Sequence, residues 1–352
     1  MRPEKSEMSN AADERFMSVA IAAADGVRHR TSPNPWVGAV LVDAEGTTST
    51  GATHPPGGLH AERHALAAAG SSSRGATLYT TLEPCNHVGR TPPCTDAIID
   101  AGVARVVVGI EDPDPLVAGS GIARLREAGL EVNVGIMAQE IATQLAPYLH
   151  HRRTGRPWVL LKLAASADGR TAAPDGTSQW ITGPEARSDA HRLRAESDAI
   201  LVGSGTARLD DPSLTVRDWP PGASPPDEEI VNPRRIVLGT APPNARMRPC
   251  LEWNGELTEL LDRLGSESVI QLMVEGGTGV AGSFHRAGLV NQYVIYTAPV
   301  LFGGDDASGL FGGPGAGSID DVWRGEIVSV DRLGSDLRID MRPVAAGGEL
   351  DR

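Results

Sequence analysis

The spacing of apolar and polar positions changes period repeatedly along this chain. Phe16, Val19, Ala20 and Ala23 recur at helical spacing behind Ser9 or Asn10, either of which can cap a helix. Pro33-Asn34-Pro35 interrupts that pattern. Short apolar or β-branched runs at 37–42, 47–53, 76–82 and 105–110 read as strands, and Glu45-Gly46 turns the first into the second. Between and after them, helices are predicted from His60 through Ala69, over 95–101, over 118–128 and over 139–149. The later half continues the alternation. Strands are predicted at 158–163, 199–202, 236–238 and 269–274, helices at 190–194 and through Arg286, and closing strands at 293–298, 326–330 and 337–341. Strands alternating with helices predict an α/β protein.

A length of 352 residues leads us to expect two domains. The basic, Gly/Pro-punctuated run from His150 to Pro157 is the natural joint, giving domains over 1–150 and 157–345 with a linker at 151–156. The net charge of −13, without a run of lysines and arginines, argues against a nucleic-acid partner but leaves room for a local phosphate pocket. The polar start argues against a secretory signal, and no apolar run approaches the ~20 residues of a membrane span. Three cysteines, two of them in a metal-like motif, do not make a disulfide framework, so a cytoplasmic, reducing location is expected.

The chemistry concentrates between His60-Ala61-Glu62 and Cys94. One imidazole, the thiols of Cys85 and Cys94, and a carboxylate two positions from the imidazole match the inventory of zinc deaminases. Zinc on His60, Cys85 and Cys94 would leave a position for water, and Glu62 would move the protons. The rival is a closed structural site with His87 or Asn86 as fourth ligand. Such sites normally use short paired spacings, whereas these cysteines are nine positions apart. Asn34, held between two prolines, is a candidate for reading a base edge because an amide both donates and accepts.

Two glycine-rich turns stand out in the later half. Gly203-Ser204-Gly205-Thr206 is a weak dinucleotide signal, since Arg208 replaces the third glycine. Gly277-Thr278-Gly279-Val280-Ala281-Gly282 has the full G-x-G-x-x-G spacing between a strand and a helix. No acidic residue follows about 20 positions on to hold a ribose 2′-hydroxyl, so the match is not the usual NAD-binding half, and NADP or a different fold with the same glycine device fits better. Lys162, early on a central strand, is costly to bury and is a candidate for polarising a sugar oxygen.

The run from Pro84 to Cys94, with Pro33-Asn34-Pro35-Trp36-Val37-Gly38 and His60-Ala61-Glu62, resembles the deaminase half of the bifunctional riboflavin-biosynthesis deaminase/reductase family. Lys162 to Arg170, Ser178-Gln179-Trp180-Ile181, Asp210 to Arg217 and Glu275-Gly276-Gly277 resemble its reductase half. The resemblance implies a cytidine-deaminase-like three-layer α/β/α domain followed by a dihydrofolate-reductase-like α/β domain. It implies one Zn2+ per chain on His60, Cys85 and Cys94, Glu62 as proton shuttle, and Asn34 and Arg90 at the pyrimidine. It places Ser178, Arg194, Leu214, Arg217 and Glu275 at the second substrate. It places Ala164, Trp180, Thr206, Asp210 and the run Gly277, Thr278, Gly279, Val280, Ala281, Gly282 and Ser283 at NADPH. Arg194 and Arg217 are of the right type to clamp a sugar phosphate.

The implied function is deamination of a diamino-pyrimidinone ribosylamine phosphate, followed by NADPH reduction of its ribosyl group to ribityl. The implied assembly is a homo-oligomer, a dimer or tetramer, with neither membrane nor nucleic acid as partner. The chain departs from the family pattern in two places. Thr53 stands where many members have histidine, with His54 next door, and the segment 236–256 is short. The shortening keeps a second possibility open, a deaminase whose later half has lost reduction. A nucleic-acid base deaminase is the third, disfavoured by charge. Cys250 reads as an incidental thiol.

Overall fold

The computed structural model describes residues 4–88, 92–115, 117–217 and 231–344, and the chain divides into two compact units, Met1–Gly155 and Arg156–Arg352.

The first unit is built on a five-stranded sheet. Its strands are β1 (Gly38–Val42), β2 (Thr48–Ala52), β3 (Thr77–Leu82), β4 (Arg105–Ile110) and β5 (Glu131–Val134), in the order β2-β1-β3-β4-β5. β1 runs antiparallel to β2 and β3, and β3, β4 and β5 are parallel. The helices are α1 (Glu4–Asp25), the single turn α2 (Arg28–Thr31), α3 (Ala61–Ala69), α4 (Cys94–Asp100), α5 (Ser120–Glu127), α6 (Ala138–Gln144) and α7 (Ala146–Thr154).

Helix α1 starts before Ser9, so neither proposed cap caps it, and Asn10 donates instead to Glu14 one turn on. Its buried face runs through Asp13, Met17, Ala20 and Ala24, while Val19 faces outward. Asp13 is buried because Tyr79 and Arg105 satisfy it with three hydrogen bonds of 2.8 Å, tying α1 to β3 and β4.

Two glycines set the layers. A Cβ on Gly38 would lie 1.8 Å from the Ala20 carbonyl oxygen of α1. One on Gly51 would lie 2.3 Å from the Ala61 carbonyl oxygen and 2.4 Å from the Ala65 nitrogen of α3. Gly51 pairs with Ala39, the neighbour of Gly38, so the two glycines point to opposite faces of the sheet. Helices α1 and α3 therefore cover opposite faces, with α6 against α1 and α4 against α3. The expected helix over 139–149 is two helices joined at Leu145, and the second continues to Thr154, so residues 150–154 are helical where a connector was expected.

The second unit carries an eight-stranded sheet. Its strands are β6 (Trp158–Ser166), β8 (Ala199–Gly203), β9 (Arg234–Leu238), β10 (Leu251–Trp253), β11 (Gln271–Val274), β12 (Gln292–Ala298), β14 (Gly325–Leu333) and β15 (Asp336–Pro343). The order is β10-β9-β8-β11-β6-β12-β15-β14, parallel until β15 and β14 close it antiparallel. A small ladder joins β7 (Arg170–Ala172) to β13 (Ser308–Gly309). Helices α8 (Pro184–Ala195), α9 (Ser204–Leu209), α10 (Leu257–Ser266) and α11 (Thr278–Arg286) complete the unit.

Alternation along β6 sorts the core. Val159, Leu161 and Leu163 pack with Leu260 and Leu264 of α10 and Phe284 of α11. Leu160 packs on the other face with Ala186, Ala190 and Leu193 of α8. The short segment 236–256 contributes an edge strand, β10, that the sequence reading did not contain. Of Gly203-Ser204-Gly205-Thr206, expected as a loop, Gly203 ends β8 and the other three residues begin α9.

The packing of α3 on β2 makes Gly51 a sensitive position. Gly51→Ala is expected to cost about 1–3 kcal/mol by forcing the helix off the strand. That corresponds to roughly 3–10 °C in the melting temperature of a unit this size, which calorimetry would resolve.

Candidate active sites

The first site lies at the C-terminal ends of the parallel strands β3 and β4, where a doubly covered α/β sheet places its ligands. His60 is the last extended residue before α3, with φ −74° and ψ 161°, and Glu62 stands in the first turn of that helix. Cys85 follows β3, and Cys94 is the first residue of α4. The ligand atoms of His60, Cys85 and Cys94 all fall within 4.8 Å of one another. His60 Nδ1 is 3.5 Å from Cys85 Sγ and 3.4 Å from Cys94 Sγ, and the Cys94 N–H donates to Cys85 Sγ at 3.4 Å.

Charge in this cluster is strongly perturbed. The Cys85 thiol is pulled down to about 4, first by hydrogen bonding from Cys94 and then by His60. Cys94 moves the opposite way because it holds the shared proton. His60 is raised, chiefly by the Cys85 thiolate beside it. Glu62, only 4% exposed, is pushed up to about 7 by burial and then by the charge on Cys85.

One imidazole nitrogen and two sulfurs converging at these distances suit zinc, whose structural rivals need a fourth protein ligand. Asn86 is engaged elsewhere: it donates to the Ser120 carbonyl and accepts from Thr95. His87 is exposed on the cavity wall. Among the described residues the metal-ligating group is a group of three.

A cavity of about 340 Å³ opens beside the cluster and is lined by Asn34, Thr53, Glu62 and His87 among others. Thr53 reaches it from the end of β2 with its hydroxyl engaged by the backbone of Val37. His54 turns to His64, 3.2 Å away. Arg90 lies outside the described residues.

The sequence reading missed the opposite wall. Glu83 accepts four backbone N–H bonds, from Asp112, Gly119, Gly121 and Ile122, at 2.9–3.2 Å. It thereby straps the loop after β4 beside the strand that leads to Cys85. Asp112 and Asp114 on that loop, and Tyr148 and Arg152 of α7, line the same cavity. The available signal was a carboxylate next to Pro84-Cys85 and an Asp-Pro-Asp-Pro run directly after a strong strand.

The second site is a cavity of about 830 Å³ at the C-terminal ends of β6, β8 and β11. Lys162, Ser178 and Glu275 line it, as do Ala164, Trp180, Thr206 and Asp210. The turn from Gly276 to Val280, which opens α11, and Ser283 one turn further on complete this wall. Burial pulls the Lys162 ammonium down from its usual range. Burial would raise Glu275, but Arg194 and Lys162 outweigh it and hold the carboxylate below its usual value.

Some expected contacts are oriented differently. Arg194 presents its fork to Glu275, with bonds of 3.0 and 2.6 Å, so that face is already occupied by a carboxylate. Leu214 has a positive φ of 52° and buries its side chain among Ile200, Val202 and Val237. Arg217 is exposed, and its backbone N–H donates to His191. The glycine run splits in the same way. Ala281 is fully buried in the core, and Gly282 packs so closely on Gly312 that a Cβ would meet its carbonyl at 2.1 Å. A helix turn cannot aim every residue at one ligand, so the cavity receives Gly277 to Val280 and Ser283 instead.

Comparisons with known proteins fall on the same two units. Residues 10–110 match the cytidine and deoxycytidylate deaminase zinc-binding region, and residues 157–339 match the RibD C-terminal domain. Riboflavin biosynthesis protein RibD of Bacillus amyloliquefaciens is 39% identical over 358 aligned positions, covering 94% of this chain and 96% of the relative. The solved structure of Acinetobacter baumannii RibD superposes with a TM-score of 0.88 at 34% identity, covering 95% of this chain and 99% of its own. That of a Thermotoga maritima protein described as a diaminohydroxyphosphoribosylaminopyrimidine deaminase/5-amino-6-(5-phosphoribosylamino)uracil reductase gives 0.84 at 31%, covering 96% and 100%. With both halves matched over nearly the full length, the chain belongs to the RibD family of bifunctional deaminase and reductase proteins of riboflavin biosynthesis.

Proposed function

We propose that the first site binds one zinc ion through His60, Cys85 and Cys94 and deaminates 2,5-diamino-6-(5-phosphoribosylamino)pyrimidin-4(3H)-one. The observation that carries this reading is the buried Glu62 carboxylate in the first turn of α3, two positions from His60 and beside a three-donor cluster whose ligand atoms lie within 4.8 Å of one another. Zinc in such a site acidifies a bound water toward neutrality. Glu62 takes the proton of the attacking water and returns protons to the ring nitrogen and the departing amine. Asn34, on the rigid Pro33-Pro35 loop, holds the ring edge, and Arg90 contributes from its own loop.

The second site takes NADPH, which supplies a hydride for the ribosyl C1′, with no acid/base dyad required. The turn from Gly277 to Val280, Ser283, Thr206, Asp210, Trp180 and Ala164 would hold the cofactor, since they line this cavity and a helix start of this kind suits a phosphate. Ser178 and Glu275 orient the sugar. Lys162, whose ammonium burial disfavours and the Glu275 carboxylate favours, polarises the ribose oxygens. Arg194 acts through Glu275, and Leu214 and Arg217 support the wall behind. The edge strand β10, which extends the sheet beside β9, favours an intact reductase over a silent one. Thiolate ligands favour a reducing, cytoplasmic location. Ile327 and Val330, exposed on edge strand β14, favour a homo-oligomer, dimer or tetramer.

Glu62→Gln is expected to lower ammonia release by about 10²–10⁴-fold. Zinc content by atomic absorption, and NADPH oxidation on the deaminated intermediate, stay at wild-type levels. Loss of zinc in this variant would make Glu62 a ligand instead. The same residue has a signed pH signature. Its raised folded pKa favours the fold below about 4.5, and that contribution is lost as pH rises through about 7. Metal-stripped Glu62→Gln is therefore expected to melt above metal-stripped wild type at pH 8 but not at pH 4, which scanning fluorimetry would read. Lys162→Met is expected to lower NADPH oxidation by about 10²–10³-fold, the scale of losing one preorganised charge. Ammonia release continues unchanged, and a parallel fall in both activities would refute the assignment.

A further inference from the structure

The basic run His150-His151-Arg152-Arg153 has no part in the chemistry described so far. It forms the last turns of α7, and Arg152 leaves the helix on the same face as Tyr148, four residues earlier, onto the wall of the first cavity. Among the described residues lining that cavity, Arg152 is the one lysine or arginine. Its side chain keeps 29% exposure while being held from two sides. Nε is 3.4 Å from Asp114 Oδ2, and the guanidinium carbon is 5.0 Å from the centre of the Tyr148 ring. Tyr148 is fixed in turn by donating to both oxygens of Asp112, at 3.1 and 3.0 Å. The loop that carries Asp112 and Asp114 is the one strapped by Glu83.

Apart from Tyr148, the other ionisable side chains on this wall are the carboxylates Glu62, Glu83, Asp112 and Asp114, the Cys85 thiol and the imidazoles of His60 and His87. Away from the His60 cluster, a lining with four carboxylates favours a phosphate dianion most beside a cation already aimed into the space. A guanidinium oriented in advance by a ring and a carboxylate meets that need with little further ordering.

We infer that Arg152 reads the phosphate monoester of the deaminase substrate, binding that end of the molecule while the metal cluster and Glu62 take the amine-bearing ring. The inference rests on the deaminase reading above and adds a specificity residue to it. Arg152 confers a preference for the phosphorylated substrate over its dephosphorylated counterpart, and Asp112 and Asp114 make that preference depend on one side chain.

The test follows ammonia release by wild type, Arg152→Met and Arg152→Lys on both substrates, with zinc content and melting temperature determined for each protein. For Arg152→Met, KM for the phosphorylated substrate is expected to rise about tenfold to a hundredfold, the range for one charged hydrogen-bonding partner. Its kcat, and its KM for the dephosphorylated substrate, stay near wild type. Arg152→Lys, which keeps the charge, recovers part of the preference and serves if the methionine variant folds poorly. An unchanged ratio of the two KM values in Arg152→Met, or an equal loss on both substrates, would overturn the inference. Ammonia release by the wild type reports separately on the deaminase reading, because the inference concerns only the ratio between substrates.

Discussion

The first site depends on how closely helix α3 can approach strand β2. Gly51 has no side chain, and the carbonyl of Ala61 and the nitrogen of Ala65 occupy the volume where one would be. That contact fixes the start of α3, and the start of α3 carries both His60 and Glu62. Cys85 and Cys94 arrive from the opposite direction, one after β3 and one at the head of α4. Three ligand atoms from three elements converge within 4.8 Å only because the sheet and the helix are in direct backbone contact.

In both cavities burial works against charge. In the first, burial drives Glu62 to about 7, between a carboxylate that would stay ionised and one that would stay neutral. In the second, Lys162 and Glu275 sit close enough that each offsets the desolvation of the other, and Arg194 completes the balance through its fork. The bidentate Arg194–Glu275 pair thus has an electrostatic duty that precedes any ligand. A similar division holds on the wall of the first cavity, where Glu83 spends its whole acceptor capacity on backbone N–H groups and leaves Asp112 and Asp114 to face the space.

Much of the fold was legible because its strands are short apolar runs bounded by glycine and proline. The predicted strand at 105–110 and the helix ended by Gly70 stand where the pattern put them, as β4 and α3. The weaker predictions failed for local reasons. The polar start of α1 has little apolar periodicity of its own, and its buried face is completed by an aspartate that only Tyr79 and Arg105 make tolerable. Strand β10 is three residues long and exists through pairing with β9, a contact no local pattern announces.

The sequence by itself determined the donor types of the His60, Cys85 and Cys94 cluster, since an imidazole, two thiols and a nearby carboxylate can be recognised before they are placed. It also determined the family, through motifs spread over both halves. Only the tertiary structure decided which neighbours share a cavity. Leu214, Ala281 and Gly282 belong to recognisable motifs yet turn into the packing, while Arg152, from an apparent connector, faces a cavity. Motif membership follows the chain, whereas the direction of a side chain follows the pitch of its helix and the elements packed against it.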